Sequence, residues 1–354
     1  MESIYEKKQG MFFTGIPETE KVIIEWHKAI ENHKIAIDTE LCNDLFVSGE
    51  HSGDSSSLTN INNASVGGEI SIKMNYYAAE TGRSTTTGIN IQGLKKNLVR
   101  KIIIPHKGNV FVKVDSKSIE PRCLAFLANE KKLLDIFLQG GDVYTEFGKK
   151  RGLGRDYGKE GFLACMYGQS VNGIKNSLKQ AGKPVSDKEA KNIHDGFIKD
   201  YPAITGGLKR TGGIWQTTFA QVIQDSTLKL PSGRHINYNP VYVGKGEYGD
   251  EFVNVDEKKN KSRLWFGRTV NNLVQGTARD VFFWQVSLMW IMLKGKADLC
   301  WTVHDDAVFE CPESECEKVK EVLLAASKKS PPWCGIDGLF AGEVVVGHNF
   351  FEIT

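Results

Sequence analysis

VFVKVDSKSIEPRCLAFLAN, residues 110–129, joins an apolar β-type run at 110–114 to a helical pattern that continues through Leu127. Asp115 ends the strand, where a fold can hold a carboxylate rigidly and leave it open to solvent and ions. Upstream, residues 18–33, ETEKVIIEWHKAIENH, put Val22, Ile23, Trp26 and Ile30 at helical spacing. Residues 48–68, rich in Ser, Gly and Asn, read as a flexible connection, and residues 69–78 as strand-like. Downstream, 155–210 is mostly helical in pattern, and 226–266 alternates turn signals with short β runs such as VYV. A long helix is expected from about residue 269 to 293. LCWTVHDDAVFEC at 299 reads as a β-hairpin with Asp305 and Asp306 at its tip, and EVVVGHNFF at 343 as a final strand. No internal repeat appears. Strands with helices segregated between them predict an α+β fold rather than a doubly wound sheet.

The 354 residues exceed one ordinary core, so two or three lobes are expected. The formal net charge is only +2, but residues 144–210 carry thirteen Lys or Arg against seven Asp or Glu. That lobe either meets a polyanion or is a solvated helical surface. The seven cysteines are odd in number and include no CxxC pair, which argues against a disulfide framework and a zinc knuckle and fits a reducing compartment. MESIYEKKQG at the start has no apolar signal core, and the apolar stretch 281–293 is too short to span a bilayer. A cytoplasmic protein without a membrane partner is expected.

Carboxylates at a strand end and a hairpin tip suit two Mg²⁺ ions about 3.5–4 Å apart. One ion would lower the pKa of a hydroxyl nucleophile; the other would neutralise a leaving pyrophosphate. Mg²⁺ completes its shell with water and phosphate, so few protein carboxylates suffice. Each aspartate alone reads equally as a solvated turn residue. Arg155, Lys159, Leu163 and Tyr167 recur every fourth residue and form one stripe of a helix. Cations for phosphates and bulk for sugar and base suit a nucleoside triphosphate; an ordinary amphipathic helix reads the same way. Gly154-x-x-x-Gly158-Lys159-Glu160 is one residue short of a Walker A loop and lacks its Ser or Thr.

These residues resemble a family. DSKSIEPRCLAFLAN at 115 is similar to the first catalytic motif of family A DNA polymerases, the bacterial DNA polymerase I type. RDYGKEGFLACMYG at 155 resembles their nucleotide-binding helix, and TVHDDAVFE at 302 their last catalytic motif. TGRSTTTGINIQG at 81, NLVQGTARD at 272 and EVVVGHNFF match supporting segments, so the resemblance runs in order over about residues 69–352.

The resemblance implies a right-hand polymerase: palm at 69–140 and 225–354, fingers at 141–224, and a reduced thumb-like region at 1–68. It implies a template-directed enzyme that adds dNTPs to a primer 3′ end. Asp115 and Asp305, with the Ser116 backbone carbonyl, would hold two Mg²⁺ ions, for which Mn²⁺ can substitute. Asp306, where the family usually has Glu, would support them. Arg155 and Lys159 would hold the triphosphate, with Tyr144 where a His normally assists. Leu163 and Tyr167 would pack at the insertion site, and Glu120 would exclude a 2′-hydroxyl. Arg83, Asn90, Gln92, Asn271, Gln275 and His304 would contact primer–template DNA. Minor-groove acceptors barely distinguish base pairs, so such contacts test pair shape without reading sequence. For His304 a turn-fixing role, and for Asn271 and Gln275 an exposed polar face, are the plainer readings.

Departures are Ser116 for the usual Tyr, Pro121 within the IELR-type run, Leu163 for Phe or Tyr, and Arg268 displaced by one residue. No acidic exonuclease constellation is found; Asp38 and Glu40 in IAIDTE have no partners. The expectation is a chain without proofreading, with a separate exonuclease or processivity subunit as a further partner. Such economy suits a phage or mobile-element enzyme, acting in the host cytoplasm if phage-encoded. The alternatives are a single-subunit RNA polymerase-like enzyme, against which Glu120 argues, and a non-catalytic DNA-binding subunit, against which the retained Asp115, Asp305, Arg155 and Lys159 argue.

Overall fold

The computed structural model describes residues 17–50, 54–75, 78–238, 241–246, 249–255 and 261–354. The opening MESIYEKKQG and other parts of the expected thumb-like region lie outside them. Two compact units emerge among the described residues: Ser118–Ala278, and residues 17–117 with Arg279–Thr354.

The second unit starts with α1 (Pro17–Asn32). Its apolar residues recur at three- and four-residue intervals, so Ile23, Trp26 and Ile30 are buried together, and the Trp26 indole donates to Ser287 Oγ at 3.1 Å. After β1 (Ile35–Ile37) comes α2 (Thr39–Ser48), capped by Asp38, whose Oδ1 accepts the Leu41 N–H at 2.9 Å. The aspartate of IAIDTE is therefore a helix cap. The expected flexible connection holds a helix instead, α3 (Ser55–Ala64), with Leu58 and Ile61 buried. Two apolar side chains three residues apart dock the helix while Ser and Asn face outward. β2 (Glu69–Ile70), β3 (Lys73–Asn75), β4 (Thr85–Thr87), β5 (Ile103–Ile104) and β6 (Asn109–Ser116) follow.

The first unit opens with α4 (Ile119–Ala128), α5 (Lys131–Leu138), α6 (Val143–Lys149) and α7 (Arg155–Met166). It continues with α8 (Val171–Gln180), α9 (Asp187–Asp200), α10 (Pro202–Thr205) and α11 (Ile214–Asp225). Phe147, Phe162, Phe197, Tyr201 and Trp215 form its aromatic core, with centroids 5.0–6.4 Å apart. Glycines let α6 and α7 approach closely: a Cβ on Gly158 would stand 2.2 Å from the Tyr144 carbonyl oxygen. Gly158 is thus a packing residue, consistent with rejecting a phosphate loop. β7 (Thr227–Lys229) and β8 (His235–Asn237) pair, and β9 (Val241–Gly246), β10 (Gly249–Val255) and β11 (Lys261–Leu264) form a separate antiparallel sheet.

The expected long helix is α12 (Phe266–Leu293), and the unit division falls within it. β12 (Asp298–Val303) and β13 (Asp306–Pro312) make the expected hairpin; α13 (Cys316–Ser327) and β14 (Gly342–Gly347) close the chain. Their sheet runs β12-β13-β6-β14, antiparallel throughout. β6, which ends at the Asp115 stretch, is therefore a central strand, flanked by the hairpin and the final strand. The α+β class is as expected. All seven cysteines are buried and unbridged. No helix of the described residues is long and apolar enough to cross a membrane.

Candidate active site

One end of the four-stranded sheet gathers three aspartates. Asp115, near the end of β6, stands opposite Asp306 of β13 and Glu343 of β14. His304 and Asp305 form the two-residue link between paired Val303 and Asp306, and His304 takes the left-handed backbone with φ 53°. A tight hairpin needs such a residue, so His304 fixes the turn while its side chain is exposed. The Ser116 N–H donates to the Asp305 carbonyl at 3.1 Å, tying the turn to the end of β6.

Burial, with the hydrogen-bonded Asp115 carboxyl next in effect, pushes Asp306 up to about 8. Two carboxyls can bond only through a proton that one of them keeps. Lys113 pulls the other way, its Nζ 3.5 Å from Asp306 Oδ2. Asp306 Oδ1 is buried without a donor among the described residues. An oxygen-only donor set with a shared proton and an orphaned buried oxygen fits a hard divalent cation such as Mg²⁺.

Sequence reading missed Lys113. The signal was present: residues two apart in a strand share a face, so the lysine of VFVKVD lies on the side of Asp115. It also missed Arg100, whose Nε donates to the Leu94 carbonyl at 3.1 Å, whose guanidinium lies 4.6 Å from the Phe350 ring centroid, and whose charge feels Asp306. Buried Arg279 pairs with Asp280 at 3.0 Å and donates to the Gly82 carbonyl at 3.1 Å, beside half-buried Arg83.

Asn90 and Gln92 are engaged by the protein itself. Asn90 Oδ1 accepts from the Gly93 N–H at 3.1 Å, and Gln92 Nε2 donates to the Ser84 and Thr302 carbonyls, each at 3.3 Å. Gln92 thus braces β12 one residue before Val303.

The expected cationic stripe lies on α7, in the other unit. Arg155 Nη2 and Nε stand 2.9 and 3.1 Å from Asp142 Oδ2. Burial would raise the Asp142 carboxyl, but bonds from Thr145 and Arg155 outweigh it and hold it below its usual range. Lys159 is exposed and has no ion pair among the described residues; Leu163 and Tyr167 are half-buried. The Tyr167 hydroxyl donates to Glu120 Oε2, so the last stripe residue and the first turn of α4 are joined. Tyr144 is buried beneath the stripe, its ring centroid 5.7 Å from the Arg155 guanidinium carbon and 6.0 Å from that of Phe162. Gly168, with φ 72°, ends α7 where a Cβ would meet the Phe266 ring. A cleft of about 750 Å³ opens there, lined in part by Gly168, Phe219, Phe252, Trp265 and Phe266. Asn271 and Gln275 are half-buried, one turn apart on α12.

The structure therefore brings Asp115, Ser116, Asp305 and Asp306 together, and separately groups Arg155, Lys159, Leu163, Tyr167, Glu120 and Tyr144. The sequence pattern of DNA polymerase family A matches residues 46–332. A thermostable DNA polymerase I of Thermus filiformis is 24% identical over 302 residues, which is 80% of this chain and 33% of that protein. The DNA polymerase of Mycobacterium phage L5 is 26% identical over 269 residues, 75% of this chain and 39% of that protein. The chain spans about a third of the length of these relatives. The POL domain of Pol1 from M. smegmatis, in complex with DNA primer-template and dNTP, matches with a TM-score of 0.68 at 18% identity, over 84% of this chain and 51% of that one. That likeness is one of fold.

Proposed function

The chain belongs to DNA polymerase family A and has its right-hand polymerase fold, and from that premise we propose that it is a template-directed DNA polymerase extending a primer with dNTPs. The observation that carries the reading is the convergence of Asp115, Asp305 and Asp306 at one end of the β12-β13-β6-β14 sheet. Asp115, Asp305 and the Ser116 carbonyl would hold two Mg²⁺ ions, or Mn²⁺ in their place, with Asp306 supporting them. Such ions supply Lewis acidity toward a primer hydroxyl and charge neutralisation at the leaving pyrophosphate. Arg155 and Lys159 bind the triphosphate, and opening the Asp142 pair frees the Arg155 fork for phosphate. Leu163 and Tyr167 pack against sugar and base, with Tyr144 as the floor under Arg155. Glu120, held by Tyr167, would stand where a 2′-hydroxyl would crowd a half-buried carboxylate. Arg83, Asn271, Gln275 and His304 would contact primer–template DNA, and Asn90 and Gln92, whose side chains bond within the protein, would brace the Arg83 and His304 part of that surface. Palm, fingers and thumb-like roles are assigned to 69–140 with 225–354, to 141–224, and to 1–68.

Primer extension by the purified chain, with and without Mg²⁺, tests the reading. Asp305→Asn should lower extension by more than about a hundredfold while primer–template binding stays close to wild type. Persistent extension by that variant would remove Asp305 from the site. Parallel assays with rNTPs and dNTPs test Glu120: ready use of rNTPs would favour an RNA polymerase-like enzyme. A separate exonuclease or processivity subunit, and action in the cytoplasm, belong to the same proposal.

A further inference from the structure

We propose that His33, Cys300 and Glu310 form a second metal site, one for Zn²⁺, away from the aspartates. The three residues come from different parts of one unit: just after α1, the middle of β12, and β13. One ligand atom from each lies within 4.8 Å of the others. His33 Nε2 is 3.2 Å from Glu310 Oε2 and 3.5 Å from Cys300 Sγ. Tetrahedral zinc, with bonds of about 2.0–2.1 Å to nitrogen or oxygen and about 2.3 Å to sulfur, has N···O and N···S edges of about 3.3 and 3.5 Å. The two edges that meet at His33 thus already match a tetrahedral face, and the third lies within 4.8 Å. A mixed nitrogen, sulfur and oxygen set suits borderline-soft zinc and not Mg²⁺.

Two further features suggest a built site. β12 carries an irregularity between Leu299 and Trp301, which pair with adjacent residues Phe309 and Val308. Cys300 is therefore the extra residue of a bulge, a device that re-aims a side chain. Glu310 is also clamped through its other oxygen: Oε1 accepts from the His106 backbone N–H at 2.7 Å, from His106 Nδ1 at 2.9 Å and from Asn109 Nδ2 at 2.8 Å. That leaves Oε2 for the ion, as outer partners of metal carboxylates do. Cys300 and Glu310 are buried, while the His33 side chain is 13% exposed and gives an entry path. A water reached past His33 would take the fourth position. On ligation the Cys300 thiol proton leaves to solvent, and thiolate sulfur forms the bond. Glu310 and Asp306 are four residues apart on β13, about 13 Å at strand rise, so the two sites are separate.

The test loads the full chain with Zn²⁺ in excess Mg²⁺, desalts it and measures bound metal; about one Zn²⁺ per chain is expected. Co²⁺ in its place should give a thiolate-to-cobalt charge-transfer band. Cys300→Ser should abolish the band, and Asn109→Ala should weaken zinc binding by about 10–100-fold. Asp115→Asn should keep the zinc. The proposal fails if the wild-type chain retains no Zn²⁺, if Co²⁺ binds without a thiolate band, or if Cys300→Ser binds Zn²⁺ as wild type does. The wild-type spectrum is decisive even if a variant does not fold.

Discussion

Asp306 is the residue whose charge most depends on what binds beside it. Burial, with the Asp115 carboxyl beside it, pushes its carboxyl up to about 8 in the folded chain, against an ordinary value of 3.8. Between those limits the folded, metal-free chain keeps a proton that the unfolded chain has released. Stability should therefore fall as pH rises from about 4 to about 8. His106 adds a fall in the upper part of this range. Burial lowers its pKa, but bonds to Glu310 and Glu69 outweigh that and leave it raised above 6.5, so its contribution is lost as pH rises through the folded value. The Asp306 share is isolated by comparing Tm against pH for metal-free wild type and Asp306→Asn. The variant should show the shallower decline, and Mg²⁺ should flatten the wild-type curve. Equal slopes would mean that Asp306 is charged throughout. At Leu163 the prediction concerns substrate: the chain should reject dideoxynucleotides strongly, and equal use of deoxy- and dideoxynucleotides in primer extension would refute it. Asp115 and Asp305 were readable because their types and spacing sit at a strand end and a turn. The pairing of Asp306 with Asp115 was not, because register is absent from a sequence and a one-residue slip would put Asp305 across the strand.

Elements with strong periodicity were legible and those with mixed composition were not. α1 and α12 show helical spacing or sustained apolar length, whereas α3 hides Leu58 and Ile61 among Ser, Thr and Asn. Leu58→Ala should cost about 2–5 kcal/mol in chemical denaturation, the range for a fully buried leucine; a loss near zero would return residues 55–64 to a flexible connection. The crossing of α6 and α7 gives a prediction whose sign decides. By helix propensity alone, Gly158→Ala would stabilise α7 by about 1 kcal/mol. The added methyl would instead sit 2.2 Å from the Tyr144 carbonyl oxygen, which belongs to the backbone. A net loss of about 1–3 kcal/mol is expected, and a stabilised variant would show that the helices are farther apart.

At the scale of the whole chain, the order of the motifs carried the family, while the limits of the two units were invisible: one falls between β6 and α4 and the other inside α12, with no change in composition at either. Charge was half legible. The net charge of +2 suggests weak interest in a polyanion, yet residues 144–210 have a basic excess. The structure reduces that excess, because Arg151, Arg155, Lys175, Lys183 and Lys191 are in ion pairs with Asp200, Asp142, Asp187, Glu160 and Asp195. Of the thirteen cations, those five leave eight without an ion pair among the described residues. Each phosphate neutralised releases counterions and contributes about −0.9 to the slope of log K against log salt on duplex DNA. If this lobe supplies the contacts, binding of a primer–template should weaken with a slope of no more than about −7, and well below zero. Fluorescence anisotropy over a salt series measures it. A slope near zero would make the basic lobe a solvated surface, and one much steeper would require cations from the rest of the chain or the opening of those five pairs on DNA.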